Sequence, residues 1–289
     1  MQAAARQRAT ELAHWEPRLE EWRMLVPVIR AQTATPLLQI ADHLSASTRS
    51  SGDVLGIVEV PRTNLPNLPQ VLEERRRDLL RWIASIDTSG RASRLNVQTR
   101  VSHDVRQGIR EAVYENGSNL VVVEWPGLSS RRPRLLGAVL EDLVSDPPAN
   151  LALVRPDPDG SSGSQAVLVP VRGGTNAPLA VKLGAALAES RQGVLTILHV
   201  IENRHHHRLR AAMSERFHEL VDSIHYRQVE IRERNSDSAA ATILEYSHAY
   251  QTTVLGAFAE QRHSPVLVQA AFARMVRQLR GTVILARRA

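Results

Sequence analysis

The stretch Leu25-Val26-Pro27-Val28 decides the fold, because it returns as Leu168-Val169-Pro170-Val171. Each copy precedes a polar turn, and a proline (Pro36 or Pro178) then lies at the start of an apolar helical pattern. Later apolar runs recur in the same order and at matching spacing, namely 53–60 with 193–200, 120–123 with 252–255 and 151–154 with 283–286. A match maintained through both halves of a chain indicates an internal duplication.

Short runs rich in β-branched residues alternate with longer stretches of helical periodicity. Such runs are typical of buried parallel strands joined by right-handed crossovers. They predict strands near 23–28, 53–60, 95–101, 119–124 and 150–155 and, in the second copy, near 166–171, 193–201, 226–233, 252–256 and 282–286. The longer stretches predict helices near 34–47, 68–86, 104–116, 133–145, 176–190, 207–223, 237–249 and 265–279. We therefore predict an α/β fold of two tandem doubly wound, mostly parallel five-stranded sheets of Rossmann-like type.

Composition divides the chain into four parts. Residues 1–21 form a charged helical lead-in, and residues 22–156 form the first domain. Residues 157–164 are rich in Pro, Gly and Ser, which resist regular structure, so we expect a linker there. The second domain is predicted over residues 165–289.

Charge and composition restrict the class of protein. The 289 residues carry a formal net charge of +6 and include no cysteine, which excludes disulfides and thiol nucleophiles. The arginines are scattered, so they indicate solvated helix faces rather than a specific nucleic-acid surface. No segment has the apolar length of a membrane helix, and residues 1–20 are too charged for a secretory signal. We expect a cytoplasmic protein.

Several polar residues that could carry chemistry have simpler structural roles. Asp104 and the pair Ser236-Asp237 stand at predicted helix starts, where we expect N-caps rather than catalytic acids. The adjacent His205, His206 and His207 cannot all face one ion from a regular helix, so a metal site is not predicted. His199 lies inside a strand and is expected to be a hydrogen-bonded core or rim residue.

The sequence contains no recognisable catalytic constellation. It has no Gly-x-Ser-x-Gly elbow, no Gly-x4-Gly-Lys-Ser/Thr loop and no His-Glu-x2-His motif. Without a nucleophile, an acid–base pair or a metal set, no group is available to carry a reaction. We predict a protein with no catalytic residues, which binds or regulates rather than catalyses.

A strand ending in Leu-Val-Pro-Val, a β-α-β-α-β-α-β-α-β order and a glycine-bearing loop after the fourth strand together resemble the universal stress protein family. The resemblance covers residues 22–156 and 165–288 and implies an adenine-nucleotide alpha-hydrolase-like fold. Nucleotide-binding members carry an acidic residue after the first strand and Gly-x2-Gly-x9-Gly-Ser/Thr after the fourth. Glycines there let backbone N–H groups approach phosphate oxygens beside a helix N-terminus. The resemblance implies ATP or another adenine nucleotide as the candidate ligand.

The first copy keeps part of this motif. Gly127 and Gly137 have the family's separation of nine residues, but Glu124 takes the first glycine position and Ile29 replaces the acid. The resemblance implies a degenerate nucleotide site formed by Pro27, Gly127, Ser129, Ser130, Arg131 and Gly137. The alternative is structural: one glycine makes a turn and the other permits close helix packing.

The second copy departs further from the family motif. Gly256 fits the first glycine, whereas Ala259 and Gln269 take the other two places and Arg172 replaces the acid. The turn Gly173-Gly174-Thr175 could bind an anion through its backbone N–H groups. It could equally be a plain strand-to-helix turn with Thr175 or Asn176 as the helix cap.

The stretch from Val101 to Ile109, with Glu124-Trp125-Pro126-Gly127 downstream, is similar to universal-stress domains appended to amino-acid permeases and other transporters. Our preferred hypothesis is a non-enzymatic sensor or regulatory module that forms an internal pseudo-dimer, with further homodimerisation left open. The alternative is a domain with vestigial sites that regulates a membrane transporter or another protein by contact. A weaker alternative is a slow ATPase.

Overall fold

The computed structural model describes residues 21–28, 34–48, 50–60, 95–125, 138–157, 165–172, 174–203, 207–257 and 270–289, with eight more between 69 and 81. The predicted lead-in over residues 1–21 and the predicted linker lie almost wholly outside these residues. Within the described part of the chain, no helix is both long and apolar enough to cross a membrane.

Strands and helices alternate through the first half of the chain, which we define as residues 21–157. Its strands are β1 (Arg23–Val28), β2 (Ser51–Glu59), β3 (Leu95–Ser102), β4 (Leu120–Glu124) and β5 (Asn150–Arg155). Its helices include α1 (Ala34–Thr48), α2 (Val105–Asn116) and α3 (Ala138–Ser145).

The second half, residues 165–289, repeats this order. Its strands are β6 (Val167–Val171), β7 (Leu195–Glu202), β8 (Val229–Ser236), β9 (Thr252–Gly256) and β10 (Thr282–Arg287). Its helices include α4 (Ala177–Ser190), α5 (His207–Asp222), α6 (Ala239–Ser247) and α7 (Ala270–Gln278). The predicted α/β fold with a mostly parallel sheet in each half is confirmed.

The two five-stranded sheets join into one ten-stranded sheet with the order β3-β2-β1-β4-β5-β10-β9-β6-β7-β8. Neighbours are parallel within each half, and β5 and β10 pair antiparallel at the seam. Leu153 lies opposite Leu285 there, and these two residues occupy equivalent positions of the duplicated unit. The seam therefore has the register of a twofold axis that passes between the two leucines.

The halves also share their hydrophobic cores. On one face of the sheet α1 packs against α4, and a single cluster includes Leu37 and Leu44 of the first half with Leu183 and Leu187 of the second. His43 Nδ1 lies 2.8 Å from Ser190 Oγ at the edge of this contact. On the other face, a second cluster spans α2 and α3 with α6 and α7.

Two arginines connect helices across the seam. Arg155, the last residue of β5, donates hydrogen bonds from its guanidinium to the carbonyl oxygens of Val276 (2.9 Å) and Leu279 at the end of α7. Its equivalent Arg287, the last residue of β10, donates from Nε to the carbonyl oxygen of Val144 in α3 at 3.3 Å. Burial lowers the pKa of both guanidinium groups. Each half thus supplies a cation to the C-terminal end of a helix in the other half, where the helix dipole favours positive charge.

The helix starts confirm one predicted cap and correct another. Asp104 is the N-cap of α2, and its carboxylate accepts from the backbone N–H of Arg106 at 2.8 Å. In the second half, the predicted cap at Ser236-Asp237 is wrong, because Ser238 caps α6 and accepts from the N–H of Ala241. Ser236 supports that turn instead, since its Oγ accepts from the N–H of Ser238.

Candidate functional site

Each half has a topological switch point, which is the place in the sheet where the strand order reverses. Ligands of open α/β sheets usually bind there, just outside the carboxyl ends of the strands. In the first half it lies between β1 and β4, and in the second between β6 and β9. A crevice requires the two central strands to separate at their carboxyl ends. The duplicated prolines Pro27 and Pro170 stand at these ends.

Pro27 explains the separation in the first half. The backbone N–H of Asn119 donates to the carbonyl oxygen of Arg23, so alternate residues of β1 from Arg23 onward, including Pro27, face β4. Proline has no N–H to donate. Pairing with β4 accordingly ends at Leu25, whereas pairing with β2 on the other side continues to Val28.

Pro170 has the same effect in the second half. The N–H of Val167 donates toward β7, which directs Leu168 and Pro170 toward β9. The pairing of β6 with β9 ends at Leu168, although β6 stays paired with β7 to Val171. The repeated Leu-Val-Pro-Val stretch therefore opens both crevices, because the proline in each copy cannot donate a hydrogen bond to the neighbouring central strand.

The second crevice is closed by a side chain of the protein. Asn176 precedes α4, is buried, and makes no side-chain cap for that helix. Its Nδ2 donates to the carbonyl oxygen of Ala257 after β9, and its Oδ1 accepts from the N–H of Arg288 after β10 at 2.9 Å. One amide thus joins the helix start to the carboxyl ends of two strands.

Gly256 makes room for this bridge. A Cβ atom at Gly256 would lie 3.2 Å from Asn176 Cβ and 3.4 Å from the Asn176 carbonyl carbon. Its φ is not in the left-handed region, so the close approach of the helix start, rather than backbone conformation, explains a glycine here. In the family motif this glycine leaves room for phosphate beside the backbone, whereas here it leaves room for the side chain of Asn176.

The first crevice has a large residue where the second has a glycine, and a small residue where the second has an asparagine. The position of Gly256 is held by Glu124, which is buried, and the position of Asn176 relative to the helix proline is held by Ala34. The next residue, Trp125, donates from its backbone N–H to the carbonyl oxygen of Val154 at 2.7 Å, as Ala257 does to Ala286. Its indole ring is fully buried in the core with α2 and α3.

Most residues of the predicted nucleotide site lie outside the described residues. Gly127, Ser129, Ser130, Arg131 and Gly137 all belong to the stretch 126–137. Pro27 alone is described, at the carboxyl end of β1 beside the first crevice. Whether these residues come together around a nucleotide stays a prediction.

The predicted anion site of the second half is described in part. Gly173 lies outside the described residues, while Gly174 and Thr175 form an exposed turn whose Gly174 carbonyl oxygen accepts from the N–H of Ala177 at 3.0 Å. Asn176, and not Thr175, is the residue immediately before α4. Anion binding at this turn stays a prediction.

His199 of β7 has the structural role that its strand position indicates. It is fully buried, its Nδ1 lies 2.9 Å from the carbonyl oxygen of Val171, and its ring stacks on Phe217 with centroids 4.5 Å apart. Over the described ranges, His, Asp and Glu residues form no group of three that could hold a metal ion.

The ionised side chains near the helix starts are paired locally. Asp104 contacts Arg106 through its side chain, and that contact with the N-cap hydrogen bond lowers the pKa of Asp104 to about 2. Arg110 pairs with Asp142 and Asp146 at the end of α3. These charges stabilise helices and do not converge on a crevice.

Sequence reasoning missed the role of Asn176. The asparagine was expected only as an alternative helix cap, and a bridge to residues 81 and 112 positions further along the chain has no local sequence pattern. The usable signal is the joint occurrence of a glycine as the last residue of β9 and an amide before α4, at positions where the first copy has Glu124 and Ala34.

Comparison with known proteins identifies the fold. No protein-family model matches the chain, and no curated protein does. A universal stress protein from Archaeoglobus fulgidus DSM 4304 superposes with a TM-score of 0.67 at 16% identity, over 94% of this chain and 98% of that one. The cytoplasmic domain of a prokaryotic cation chloride cotransporter superposes with a TM-score of 0.58 at 12% identity, over 93% and 96%. The chain has the fold of two universal stress protein units in tandem.

Proposed function

We propose that the chain is a non-enzymatic regulatory module in which the first half alone holds an adenine nucleotide. The observation that carries the proposal is the difference between the crevices. In the second half Asn176 bridges α4 to the ends of β9 and β10, so a nucleotide would have to displace two hydrogen bonds of a buried amide. Counted back from the helix proline, the corresponding residue of the first half is Ala34, whose methyl side chain cannot make that bridge.

The proposed site combines Pro27 at the separated end of β1 with the loop that follows Trp125. Gly127 and Gly137 keep the spacing that lets backbone N–H groups surround phosphates, and Ser129, Ser130 and Arg131 add donors to the same loop. Glu124 takes the place of the first motif glycine, so the close backbone approach to phosphate that a glycine permits is lost there. Binding is therefore weak, which suits a sensor that responds to changes in nucleotide concentration.

Isothermal calorimetry with ATP, ADP, AMP and cyclic dinucleotides tests the proposal. We expect binding to the native protein and its loss in Gly127→Asp, because a carboxylate would stand where phosphate must approach. The matched control is Ala259→Asp, at the corresponding position of the second half, which should leave binding unchanged. No heat at millimolar nucleotide, or equal loss in both variants, would contradict the proposal.

Two further measurements separate the alternatives. Phosphate release from ATP should stay at the level of buffer alone, and release that disappears in Gly127→Asp would indicate the slow ATPase instead. Titration with inorganic phosphate of the native protein and of a Gly174→Pro variant tests the anion site predicted at Gly173, Gly174 and Thr175.

A second candidate function is regulation of a transporter by contact. It is favoured by the likeness to the cytoplasmic domain of a cation chloride cotransporter over nearly the whole chain. If it is correct, the reading frame that encodes this chain, or one transcribed with it, encodes membrane-spanning helices. An isolated gene without such a neighbour would contradict this candidate and leave the nucleotide proposal untouched.

A further inference from the structure

Among the described residues, no strand pairs with the outer edge of β8. The ten-stranded sheet ends in β3 on one side and β8 on the other. In β8 the six consecutive residues 230–235 are all exposed, including Ile231 at 49%. A long uncovered edge with an exposed apolar residue is a template for pairing with another strand.

The edge at β3 is better protected. Arg100 of β3 pairs with Glu111 and Glu115 of α2, and Thr99 accepts a hydrogen bond from Arg76 Nε at 3.0 Å. Gln98, Thr99 and Arg100 are only partly exposed. Val97 (44%) and Val101 (50%) are exposed on β3 as well, but of the two edge strands β8 has the longer continuous run of exposed residues.

The backbone hydrogen bonds show which residues of β8 face outward. The carbonyl oxygens of Gln228 and Ser236 accept from β7 and the turn that follows it, and the pairing between these points has no bulge. Even-numbered residues therefore bond to β7. The N–H and C=O groups of odd-numbered residues such as Ile231 therefore point away from the sheet, although the carbonyl oxygen of Glu233 already accepts from Arg234 Nη1 at 2.9 Å.

We propose that β8 pairs antiparallel with β8 of a second copy of this chain, with Ile231 opposite its own equivalent on a twofold axis. In this register the two Ile231 residues exchange both backbone hydrogen bonds, as outward-facing groups require. Glu230, which pairs with Arg232 of its own strand at 2.9 Å, then also lies opposite Arg232 of the second copy, and the same arrangement forms again across the axis. Each opposite-charge pair in such a position stabilises the pairing.

The charges of β8 exclude the neighbouring registers. In a register with residue 230 on the axis, the two Glu230 side chains lie opposite each other. In a register centred on residue 232, the two Arg232 side chains lie opposite each other. In a register centred on Glu233, the two Glu233 carboxylates lie opposite each other, and Arg232 lies opposite Arg234 on both sides of the axis. Like charges thus disfavour the registers centred on residues 230, 232 and 233 relative to the one centred on Ile231.

A disulfide test uses the absence of cysteine from the chain. In the proposed dimer the Cα atoms at position 231 are about 5.5 Å apart, within the range of a disulfide. Under mild oxidation we expect Ile231→Cys to become a disulfide-linked dimer at micromolar protein. The matched control Asn235→Cys lies on the same exposed edge, but its two copies are about 27 Å apart in this register, so it should stay monomeric.

A charge exchange tests the register without cysteine. Sedimentation velocity over a concentration series should show a weak dimer of the native protein. Glu230→Arg or Arg232→Glu alone should weaken dimerisation about tenfold, because two attractive pairs become repulsive, and the double variant should restore it. Three results would each overturn the proposal. The native protein could stay monomeric, both cysteine variants could cross-link equally, or the charge exchanges could leave the dimerisation constant unchanged.

Discussion

At the scale of the residue, Asn176 makes two long-range hydrogen bonds with one amide. It precedes α4, donates to the carbonyl oxygen of Ala257 and accepts from the N–H of Arg288. Because the group is buried, these hydrogen bonds replace ones to water that folding removes. The residue is therefore both part of the core and the reason that the second crevice differs from the first.

We expect Asn176→Ala to lower the free energy of unfolding by about 1–3 kcal/mol, because it leaves a buried carbonyl oxygen and an N–H without partners. Urea denaturation measures this change. The matched control is Asn203→Ala, which removes an exposed hydrogen bond to Asp237 and should cost under about 0.5 kcal/mol. Equal costs for the two variants would contradict the bridging role of Asn176.

Asp104 provides a prediction that depends on pH. The pKa of Asp104 is about 2 in the folded protein against an ordinary value of 3.8, so its stabilisation is complete above about pH 5 and is lost as the pH falls through about 2. At neutral pH we expect Asp104→Ala to cost about 1 kcal/mol, and the difference should shrink between pH 4 and pH 2. The uncharged cap Ser238 is the control, since the cost of Ser238→Ala should not change in this interval.

At the scale of the element, Arg155 and Arg287 act on helices that belong to the opposite halves. We expect Arg155→Met to cost about 1–3 kcal/mol, since two carbonyl oxygens at the end of α7 lose a charged donor. Arg287→Met removes one longer hydrogen bond and should cost less. Arg77→Met, which removes an exposed pair with Glu73, should cost least. Chemical denaturation gives the three values, and any other order would contradict the capping role.

The strands and helices could be predicted from the sequence because their apolar patterns are local. β1, β4, β5 and β9 lie within a residue or two of their predicted bounds. The exception is β8, predicted three residues early, because the half-buried Tyr226 imitates the start of a strand. Its hydroxyl instead donates to the carbonyl oxygens of Gly193 and Ala188 from the preceding turn. Side chains that pack from a loop cannot be distinguished from strand residues by period alone.

At the scale of the whole molecule, the joined sheet predicts how the protein unfolds. Since β5 pairs with β10 and α1 packs on α4, each half covers apolar surface of the other. We expect one cooperative unfolding transition, with fluorescence and circular dichroism coinciding. Separate transitions for the two halves would contradict a shared core.

Cutting the chain tests the same feature directly. A protease site inserted into the predicted linker, residues 157–164, should give two fragments that still elute together at the size of the intact chain. Leu153→Arg, a charge on the axis of the seam, should separate the cut fragments, whereas the exposed Tyr114→Arg should not. Fragments that separate without any substitution would contradict the seam described here.

The joining of the sheets could not be predicted from the sequence, although the duplication could. Both β5 and β10 read as ordinary buried strands, and nothing local in Leu153 or Leu285 indicates that they lie opposite each other. The candidate nucleotide site was predictable only from the loop motif, whose residues lie outside the described ones, and the closing of the second crevice depended on long-range contacts of Asn176.

The twofold register at Leu153 and Leu285 has an evolutionary consequence. Equivalent residues facing each other across an axis are the signature of a homodimer interface, so two separate copies of one unit could pair through their last strands in this same register. In such a dimer every mutation appears twice. In one fused chain the two halves can differ at equivalent positions, as Asn176 with Gly256 in the second half differs from Ala34 with Glu124 in the first.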